Sequence, residues 1–568
     1  MNAHVDETLP AVLSNAEIAD RLASLAQLLS SQKENPWKIK AYQRAAARIR
    51  NLSESVEELV HDDADLTRYA GIGEAIASAI REIVRTGSLG KLDKLRAEAS
   101  PELLTISSYP RLDPKRVLRV YKKLGISSIE ELRERLDSGE LENIFGLRMA
   151  QHVRHGLTET PAMLLYRADD LRGAVEEFLV GPCAVRRAEV AGAYRRRVEV
   201  IDELVFVIES GDFAGVVARL QRYGGRTPLI SSGKDHALFS LSSGLLLRIQ
   251  LASTDDWGFH MLTCTGSEQH LRKLKAVAGG LREIKSSGVP LPSESALYGK
   301  FGLEYIEPEL RDGHDEVDRA ANGTLPVLVT AKEISGELHA HSTSSDGGNS
   351  IEEMAEAARA RGYEYIGITD HSQSLKIARG VSVEDLWAQI RFIDKLNARL
   401  HGFRILKSAE VDILADGSLD YPDDLLRELD YTVCSVHSKF ALGKEQQTGR
   451  ILRAMDNRYF NILGHATGRL LLKRPGYEID IPRVIAHARD TRCYFEINSS
   501  PDRLDLSAEN AHLAAAAGVK IAVSTDAHST REFGLIRYGI DQARRAGLEK
   551  SDILNCLPWH DLAPLFKK

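Results

Sequence analysis

Nine residues of metal-ligating type recur through the C-terminal part of the sequence. Mixed imidazole and carboxylate ligands without thiolates suit Zn²⁺, Mn²⁺ or Fe rather than a structural cysteine-rich zinc site. Such a cluster can lower the pKa of a bound water and clamp the attacking and leaving oxygens of a phosphoryl group. The pattern therefore predicts a multi-metal hydrolytic site in which a metal-bound hydroxide is the nucleophile. The nine residues are His339, His341, Asp346, His371, Glu410, His437, His465, Asp526 and His528.

Most of these residues stand at the end of a short apolar run. We interpret YIGITDH, RILKSAEV, YTVCSVH, FNILGHATG and KIAVSTDAH as buried strands that each deliver a polar residue at the tip. A single histidine at a strand end is more often a hydrogen-bonded structural residue than a ligand. A succession of such ends, on strands that alternate with helices, is instead typical of a parallel barrel with its chemistry at one edge.

The order HAH…D…TDH…E…SVH…GH…DAH resembles the polymerase and histidinol phosphatase (PHP) domain. This resemblance implies a distorted (β/α)7 barrel that binds three divalent metal ions, Mn²⁺ or Zn²⁺ with Fe as a further option, through the nine positions. It also implies that Arg450, Arg469 and Arg503 hold substrate phosphates, since a planar guanidinium grips phosphate oxygens bidentately. Arginines that merely cover a solvated helix are the alternative.

The N-terminal region is predicted to be helical and to contact DNA. Gly71-Ile72-Gly73 resembles a helix-hairpin-helix motif, in which small residues let backbone N–H groups approach a phosphate. A helix end followed by a turn is the alternative. Further on, a basic stretch is predicted to bind the DNA backbone without sequence preference, although a solvated face would look the same. Its cations include Lys115, Arg116, Lys122 and Lys123.

Residues 14 to about 320 resemble the scaffold of a family X DNA polymerase, and a PHP domain behind it is typical of the bacterial branch. The stretches that carry this resemblance include NPWKIKAYQRAAARI, AGIGEAIASAIREI and YGKFGLEYIEPELR. It implies a multidomain fold of α and α/β class. The predicted segments are a helical helix-hairpin-helix domain at 1–100, a fingers-like region at 101–165, a nucleotidyltransferase-like palm and thumb at 166–320, a linker at 321–335, and the PHP barrel at 336–568.

The palm departs from the family pattern, in which a Gly-Ser pair and three aspartates bind the nucleotide and two Mg²⁺ ions. Alignment places Ala193 at the serine, and Glu203, Val205 and Leu246 at the aspartates. One carboxylate remains where three are needed, so we expect the strands to persist and the polymerase chemistry to be lost. The segment 74–79 also contains no lysine, so the lyase chemistry of some family members is not expected.

Composition indicates how large the folded part is, where the protein is located and which partners are excluded. The chain has 568 residues, 43% hydrophobic, with a net charge of −7, enough for several cores and too acidic for wholesale coating of nucleic acid. Five cysteines without CxxC spacing favour a reducing, cytoplasmic location. The sequence has no apolar run of membrane-spanning length and no signal peptide, so no membrane association is expected.

The predicted function is metal-dependent phosphodiester hydrolysis, as a 3′→5′ exonuclease or 3′-end-processing nuclease in DNA repair. The expected partner is gapped or 3′-ended duplex DNA, bound without sequence preference, and the sequence assigns no protein partner. Three alternatives stay open: a gap-filling family X polymerase, a small-molecule phosphatase of the histidinol-phosphate type, and a non-catalytic DNA-binding scaffold.

Overall fold

The structure is a computed structural model that describes residues 13–566, apart from 33, 101–102, 105, 107–111, 113, 158–161 and 279–289. It divides into two compact units, which are described separately. The first comprises Met1–Arg195, Val200–Thr265 and Gly280–Leu297, and the second comprises Arg196–Glu199, Gly266–Gly279 and Tyr298–Lys568. Among the described residues, every helix is too short or too polar to cross a bilayer.

The first unit begins with five helices around one apolar core. The first helix starts at Ser14, whose hydroxyl accepts from the Glu17 N–H while the Glu17 carboxylate accepts from the Ser14 N–H, a reciprocal capping box. The fourth helix starts at Gly73, just after Gly71 with φ +90°, a backbone angle that favours glycine. The helices are Asn15–Ser31, Pro36–Arg50, Val56–His61, Glu74–Thr86 and Gly90–Glu98.

In the next part of the chain, four helices whose bounds the structure describes surround a second apolar core. Val117, Leu132, Leu141 and Val153 are fully buried there, and this cluster shares no residue with the core of the first five helices. Each helical group therefore buries its own apolar face, as separate domains do. The helices are Pro114–Leu124, Ile129–Asp137, Glu140–Phe145 and Leu147–Leu157.

The remainder of the first unit contains a two-stranded and a five-stranded sheet. In the larger sheet the strand order is β2-β4-β7-β6-β5, with β4 parallel to β7 and antiparallel to β2. The strands are β1 Met163–Leu164, β2 Arg187–Ala191, β3 Val200–Ile201, β4 Glu203–Glu209, β5 Leu229–Ser232, β6 His236–Ser240 and β7 Leu246–Leu251. The helices of this part are Leu165–Val180, Gly192–Arg195, Phe213–Leu220 and Trp257–Thr265. The helices Glu268–Ala278 and Glu316–Asn322 belong to the second unit, and the helix Glu294–Lys300 begins in the first unit and ends in the second.

The second unit contains a seven-stranded parallel sheet whose strands follow one another in chain order. The His341 N–H donates to the Ala527 carbonyl at 2.8 Å, which joins the end of the last strand to the first. The sheet is therefore a nearly closed barrel, and the predicted (β/α)7 architecture is confirmed. The strands are β8 Gly336–Ala340, β9 Tyr365–Ile368, β10 Arg404–Asp412, β11 Tyr431–Ser435, β12 Ile462–Leu463, β13 Tyr494–Asn498 and β14 Ile521–Ser524.

Helices alternate with these strands, as the sequence pattern predicts. Capping is explicit at several of them: Ser350 forms a capping box with Glu353, and the Ser382 hydroxyl accepts from the Asp385 N–H. Each helix packs an apolar face over the strands. The helices are Ile351–Ala360, Val383–Asn397, Asp423–Leu426, Lys444–Met455, Ile481–Thr491, Ala508–Ala516, Ile536–Arg545 and Trp559–Phe566.

Candidate metal centre

The nine predicted ligands gather at the carboxyl edge of the barrel. His339 lies in β8 and Glu410 in β10, and the others lie in the segments that follow the strands. In a parallel barrel all strand C-termini open on the same side, so ligands distant in sequence become neighbours. The side chains of His339, His341 and Glu410 are fully buried, and Asp346 and His528 lie at the more open side.

Eight of the nine residues form three overlapping groups, each with its ligand atoms within 4.8 Å of one another, and His465 is in none of the three. Glu410 contributes to more than one contact: its Oε1 lies 2.9 Å from His465 Nε2, and its Oε2 lies 2.7 Å from His371 Nδ1. Asp526 Oδ1 lies 3.0 Å from His341 Nε2. The groups are His341 with Asp346, His371 and His528; His339 with His341 and Asp526; and His371 with Glu410 and His437.

The chemistry of these atoms fits divalent cations. His339 Nε2, His341 Nδ1 and His465 Nδ1 are buried and form no hydrogen bond with another described residue, and Glu410 Oε2 and His371 Nδ1, although 2.7 Å apart, are not aligned for one. A buried polar atom left without a partner costs about 1–3 kcal/mol. Imidazole and carboxylate lone pairs that converge in this way are satisfied together by a cation, so these residues could hold metal ions.

Further polar residues, which the sequence reasoning missed, orient the ligands from behind. Glu496 Oε1 accepts from His339 Nδ1 at 2.7 Å and Glu496 Oε2 accepts from the His465 N–H at 2.7 Å. Asp412 Oδ1 lies 2.5 Å from His437 Nδ1. Such carboxylates fix the imidazole tautomer and raise its basicity. The sequence feature that could have identified them is a charged residue inside an apolar strand, since Glu496 lies mid-way along β13 and Asp412 ends β10.

The electrostatics of the protein alone are dominated by these close pairs. Burial lowers the pKa of His437, but the Glu410 and Asp412 carboxylates outweigh burial and raise it to about 10. The same balance, with Asp346 and Asp526 as the carboxylates, raises the pKa of His528 to about 9. Burial raises the pKa of Glu410, yet the surrounding histidines hold it well below the usual value. The Glu410 carboxylate is therefore anionic, and metal ions would compete with protons for the imidazoles.

Comparison with known proteins shows which family the chain belongs to. A helix-hairpin-helix domain family matches residues 13–89 and the PHP domain family matches residues 337–500. A protein named DNA polymerase/3′-5′ exonuclease PolX from Bacillus subtilis (strain 168) is 32% identical over 570 residues, which cover 97% of this chain and 99% of that protein. The chain belongs to the PolX family. The predicted family X scaffold, helix-hairpin-helix domain and PHP domain are thereby confirmed, and the PHP domain makes the chain a metal-dependent phosphoesterase.

The chain is also similar, over part of its length, to shorter proteins. A probable phosphatase of Thermoanaerobacter sp. (strain X514) is 32% identical over 230 residues, covering 39% of this chain and 89% of that protein. A probable phosphatase of Clostridium acetobutylicum is 29% identical over 208 residues, covering 35% of this chain and 80% of that protein. These matches concern a part of the chain about as long as the barrel region alone.

The three arginines that the sequence assigned to substrate phosphates in this PolX chain differ in their surroundings. Arg450 is fully buried, and its guanidinium donates to the carbonyls of Ile413, Leu414 and Ser438. Because these bonds occupy both ends of the guanidinium inside the protein, the geometry argues against the predicted phosphate role of Arg450. It holds the loop after β10 instead.

Arg503 lies beside the cluster, and Arg469 contacts the backbone of Arg503. Arg503 Nε is 3.9 Å from Oδ2 of the ligand Asp526, and the side chain keeps 25% of its surface exposed. Arg469 Nε donates to the Arg503 carbonyl at 2.9 Å, and its Nη2 pairs with Glu199 and with the Leu504 carbonyl. Arg469 therefore positions the backbone that carries Arg503, and Arg503 is the arginine best placed for a substrate phosphate.

The palm positions of this PolX chain fall on the five-stranded sheet. Glu203 on β4 is directly opposite Leu246 on β7, and its carboxylate pairs with Arg248. Val205 is buried in an apolar cluster with Ala191, Val207, Ala252, Trp257 and Met261. Ala193 lies in the short helix Gly192–Arg195. Of the three positions aligned with the family aspartates, only Glu203 therefore bears a carboxylate, and that carboxylate is paired with an arginine.

The predicted DNA contacts of the helical regions are exposed. Gly71 and Gly73 lie at the surface beside a cavity of about 710 Å³, with open space where a Cβ would project. Arg116, Lys122 and Lys123 are exposed along the helix Pro114–Leu124. The side chain of Lys115 lies outside the described part of the structure.

Proposed function

We propose that this PolX-family chain is a 3′→5′ exonuclease or 3′-end-processing nuclease that acts on DNA in repair, and that the nine-residue cluster is its active site. The observation that carries this proposal is the convergence of three ligand groups at one barrel edge, with buried ligand atoms that form no hydrogen bond within the described part of the chain. Three divalent ions, Mn²⁺ or Zn²⁺, would be held by those groups. When bound, such ions activate water and neutralise charge on a phosphoryl group.

Other residues of the chain would orient the metal ligands and bind the substrate phosphate. Glu496 and Asp412 keep the Nδ1 atoms of His339 and His437 facing away from the centre, which leaves each Nε2 directed into it. Arg503, beside Asp526, would grip an oxygen of the scissile phosphate from the exposed side of the cluster. Arg469 would keep Arg503 in place through its backbone carbonyl.

We propose further that the palm has lost polymerase activity. Two Mg²⁺ ions need several carboxylate oxygens, whereas Val205 is buried among apolar side chains and Leu246 offers no ligand atom. The remaining Glu203 is paired with Arg248. A cation at this position would have to displace a guanidinium and would still lack a second carboxylate.

The helical regions would bring DNA to the enzyme. Gly71 and Gly73 leave the first N–H groups of the helix Glu74–Thr86 open to a phosphate, and the exposed Arg116, Lys122 and Lys123 would add non-specific contacts. The two separate helical cores support a boundary near residue 100 between the proposed segments 1–100 and 101–165. The palm and thumb at 166–320, the linker at 321–335 and the PHP domain at 336–568 complete the proposed division.

A small-molecule phosphatase is the second candidate, favoured by the probable phosphatases that match a part of the chain about as long as the barrel region. Gapped duplex DNA with a 5′ label and a soluble phosphomonoester should be incubated in parallel with the full chain and Mn²⁺. We expect stepwise shortening of the labelled strand from its 3′ end and much slower monoester hydrolysis. Monoester hydrolysis with an intact DNA strand would contradict the nuclease proposal and favour the phosphatase.

A further inference from the structure

The segment that follows the ligand His371 forms a short exposed loop. It leaves the barrel edge at Ser372 and returns at Val381, whose N–H donates to the His371 carbonyl at 2.8 Å. At its tip, Ile377 is 93% exposed. Because the loop starts at the carboxyl end of β9, it rises from the same edge of the barrel as the metal ligands.

This loop is held firmly by groups that also hold the ligands. The Ser374 N–H donates to Asp420 Oδ2 at 2.7 Å, and the Ser374 hydroxyl donates to Asp412 Oδ2 at 2.9 Å. Asp412 also accepts from the ligand His437. Gly380 passes so close to Ser372 that a Cβ would lie 2.0 Å from the Ser372 carbonyl oxygen. The position of the tip is therefore fixed relative to the cluster.

The tip combines an apolar side chain with two cations. Lys376 and Arg379 flank Ile377 and are exposed, and neither forms an ion pair with another residue in the described part of the chain. An exposed isoleucine between cations is the arrangement by which proteins insert an apolar wedge at a base step while the cations contact the phosphates. Charge complementarity thus favours a nucleic-acid end as the occupant of this surface.

A groove of about 460 Å³ adjoins the loop and provides room for a displaced nucleotide. Arg379, at the base of the tip, lines it together with Thr343, Ser344 and Phe392. The Phe392 ring is 38% exposed, and an exposed aromatic ring offers a stacking surface for any base. A cation, two hydroxyls and an aromatic ring are suitable contacts for the phosphate and base of one nucleotide, and the exposed carboxylates of Glu352 and Asp385, which also line the groove, can accept from a base amino group.

We propose that Ile377 separates the terminal base pair of a duplex 3′ end, so that the 3′ nucleotide enters the metal centre and the opposing nucleotide enters the groove beside Phe392. This inference rests on the proposed nuclease function. It explains how a buried cluster could receive the end of a paired strand, since a base inside a duplex must first be unstacked and unpaired.

The test compares one 5′-labelled strand in three forms: single-stranded, paired to its 3′ end, and paired with a 3′-terminal mismatch. Rates with Mn²⁺ are measured for the full chain, Ile377→Ala and the control Val327→Ala, which alters another exposed apolar residue (81% exposed). We expect Ile377→Ala to lower the ratio of the paired to the single-stranded rate by about tenfold, the order expected for loss of a base contact. The same ratio for the mismatched end should fall much less, and Val327→Ala should give the same ratios as the parent.

Separation of the terminal pair can also be observed without hydrolysis. With 2-aminopurine as the 3′-terminal base and no divalent ion, the parent should increase the fluorescence on binding and Ile377→Ala should not. Equal rate ratios for parent and Ile377→Ala, together with equal fluorescence, would overturn the wedge while leaving the nuclease function in place. Failure of the parent to cleave any of the three DNAs would instead overturn both proposals.

Discussion

Replacing Glu496 by glutamine is expected to weaken Mn²⁺ binding although Glu496 belongs to none of the three ligand groups. Glu496 is buried and uses both oxygens: Oε1 accepts from His339 Nδ1 and Oε2 from the His465 N–H, each at 2.7 Å. Glutamine preserves the shape but has only one acceptor oxygen. Its amide nitrogen must therefore face one of these two donors.

The structure allows the size of this effect to be worked out. One buried donor left without an acceptor costs about 1–3 kcal/mol. At about 1.4 kcal/mol per factor of ten, this cost corresponds to a loss of about 5- to 150-fold in affinity. The range agrees with the 10- to 100-fold loss of metal affinity that is typical when a carboxylate behind a ligating histidine is removed. Loss of the negative charge near His339 acts in the same direction.

Calorimetric titration of the metal-free chain with Mn²⁺ gives the measurement. Glu509→Gln, at an exposed position on the helix Ala508–Ala516 of the same unit, is a matched control, and thermal melting checks that each variant is folded. We expect Glu496→Gln to raise the dissociation constant within the stated range and Glu509→Gln to leave it unchanged. An unaltered Mn²⁺ affinity in Glu496→Gln would refute the assignment of Glu496 as the residue that orients His339.

Three further predictions concern the palm, the arginine contact and pH. The full chain should incorporate no dNTP at a one-nucleotide gap with Mg²⁺ or Mn²⁺; incorporation that disappears in Glu203→Ala would contradict the proposed loss of polymerase activity. Glu199→Gln should raise KM for DNA about fivefold with a smaller change in kcat, because the half-buried ion pair that holds Arg469 in place is lost. An unchanged KM would contradict the role of Arg469 in positioning Arg503. The raised pKa values of His437 and His528, about 10 and about 9, keep both imidazoles protonated at pH 7 until a metal ion replaces the proton. Mn²⁺ binding at pH 7 should therefore release protons, and the affinity of the chain for Mn²⁺ should rise with pH up to about pH 9–10. Calorimetry in buffers of different ionisation enthalpy checks the release, and binding without it would contradict the ligand assignment.

The barrel and its ligands could be predicted from the sequence because their signal is local. Most ligands lie in or just after a short apolar strand, so motif and element can be recognised together, as in β9 and the TDH that follows it. The helix-hairpin-helix is local in the same sense, since Gly71 and Gly73 stand next to the helix that they start.

What could not be predicted depends on contacts between distant segments. Nothing in QQTGRI indicates that Arg450 is buried against carbonyls from the loop after β10, 36 and 37 residues away in the sequence. The pair between Arg469 and Glu199 joins residues 270 positions apart. Arginine has five donors that suit a phosphate and a backbone carbonyl equally, so its residue type alone does not distinguish a ligand site from a structural bond.

The nuclease assignment is tested most directly by replacing both His339 and His341 with alanine and following a 5′-labelled gapped duplex with Mn²⁺ supplied. These imidazoles contribute to two of the three ligand groups, so the double variant should bind fewer ions and lose 3′-end hydrolysis. Circular dichroism should confirm that the helical regions remain folded, since domains with their own cores fail independently. Abolished shortening of the labelled strand is the predicted result. Cleavage at the parental rate would mean that the barrel is not where this chain hydrolyses DNA.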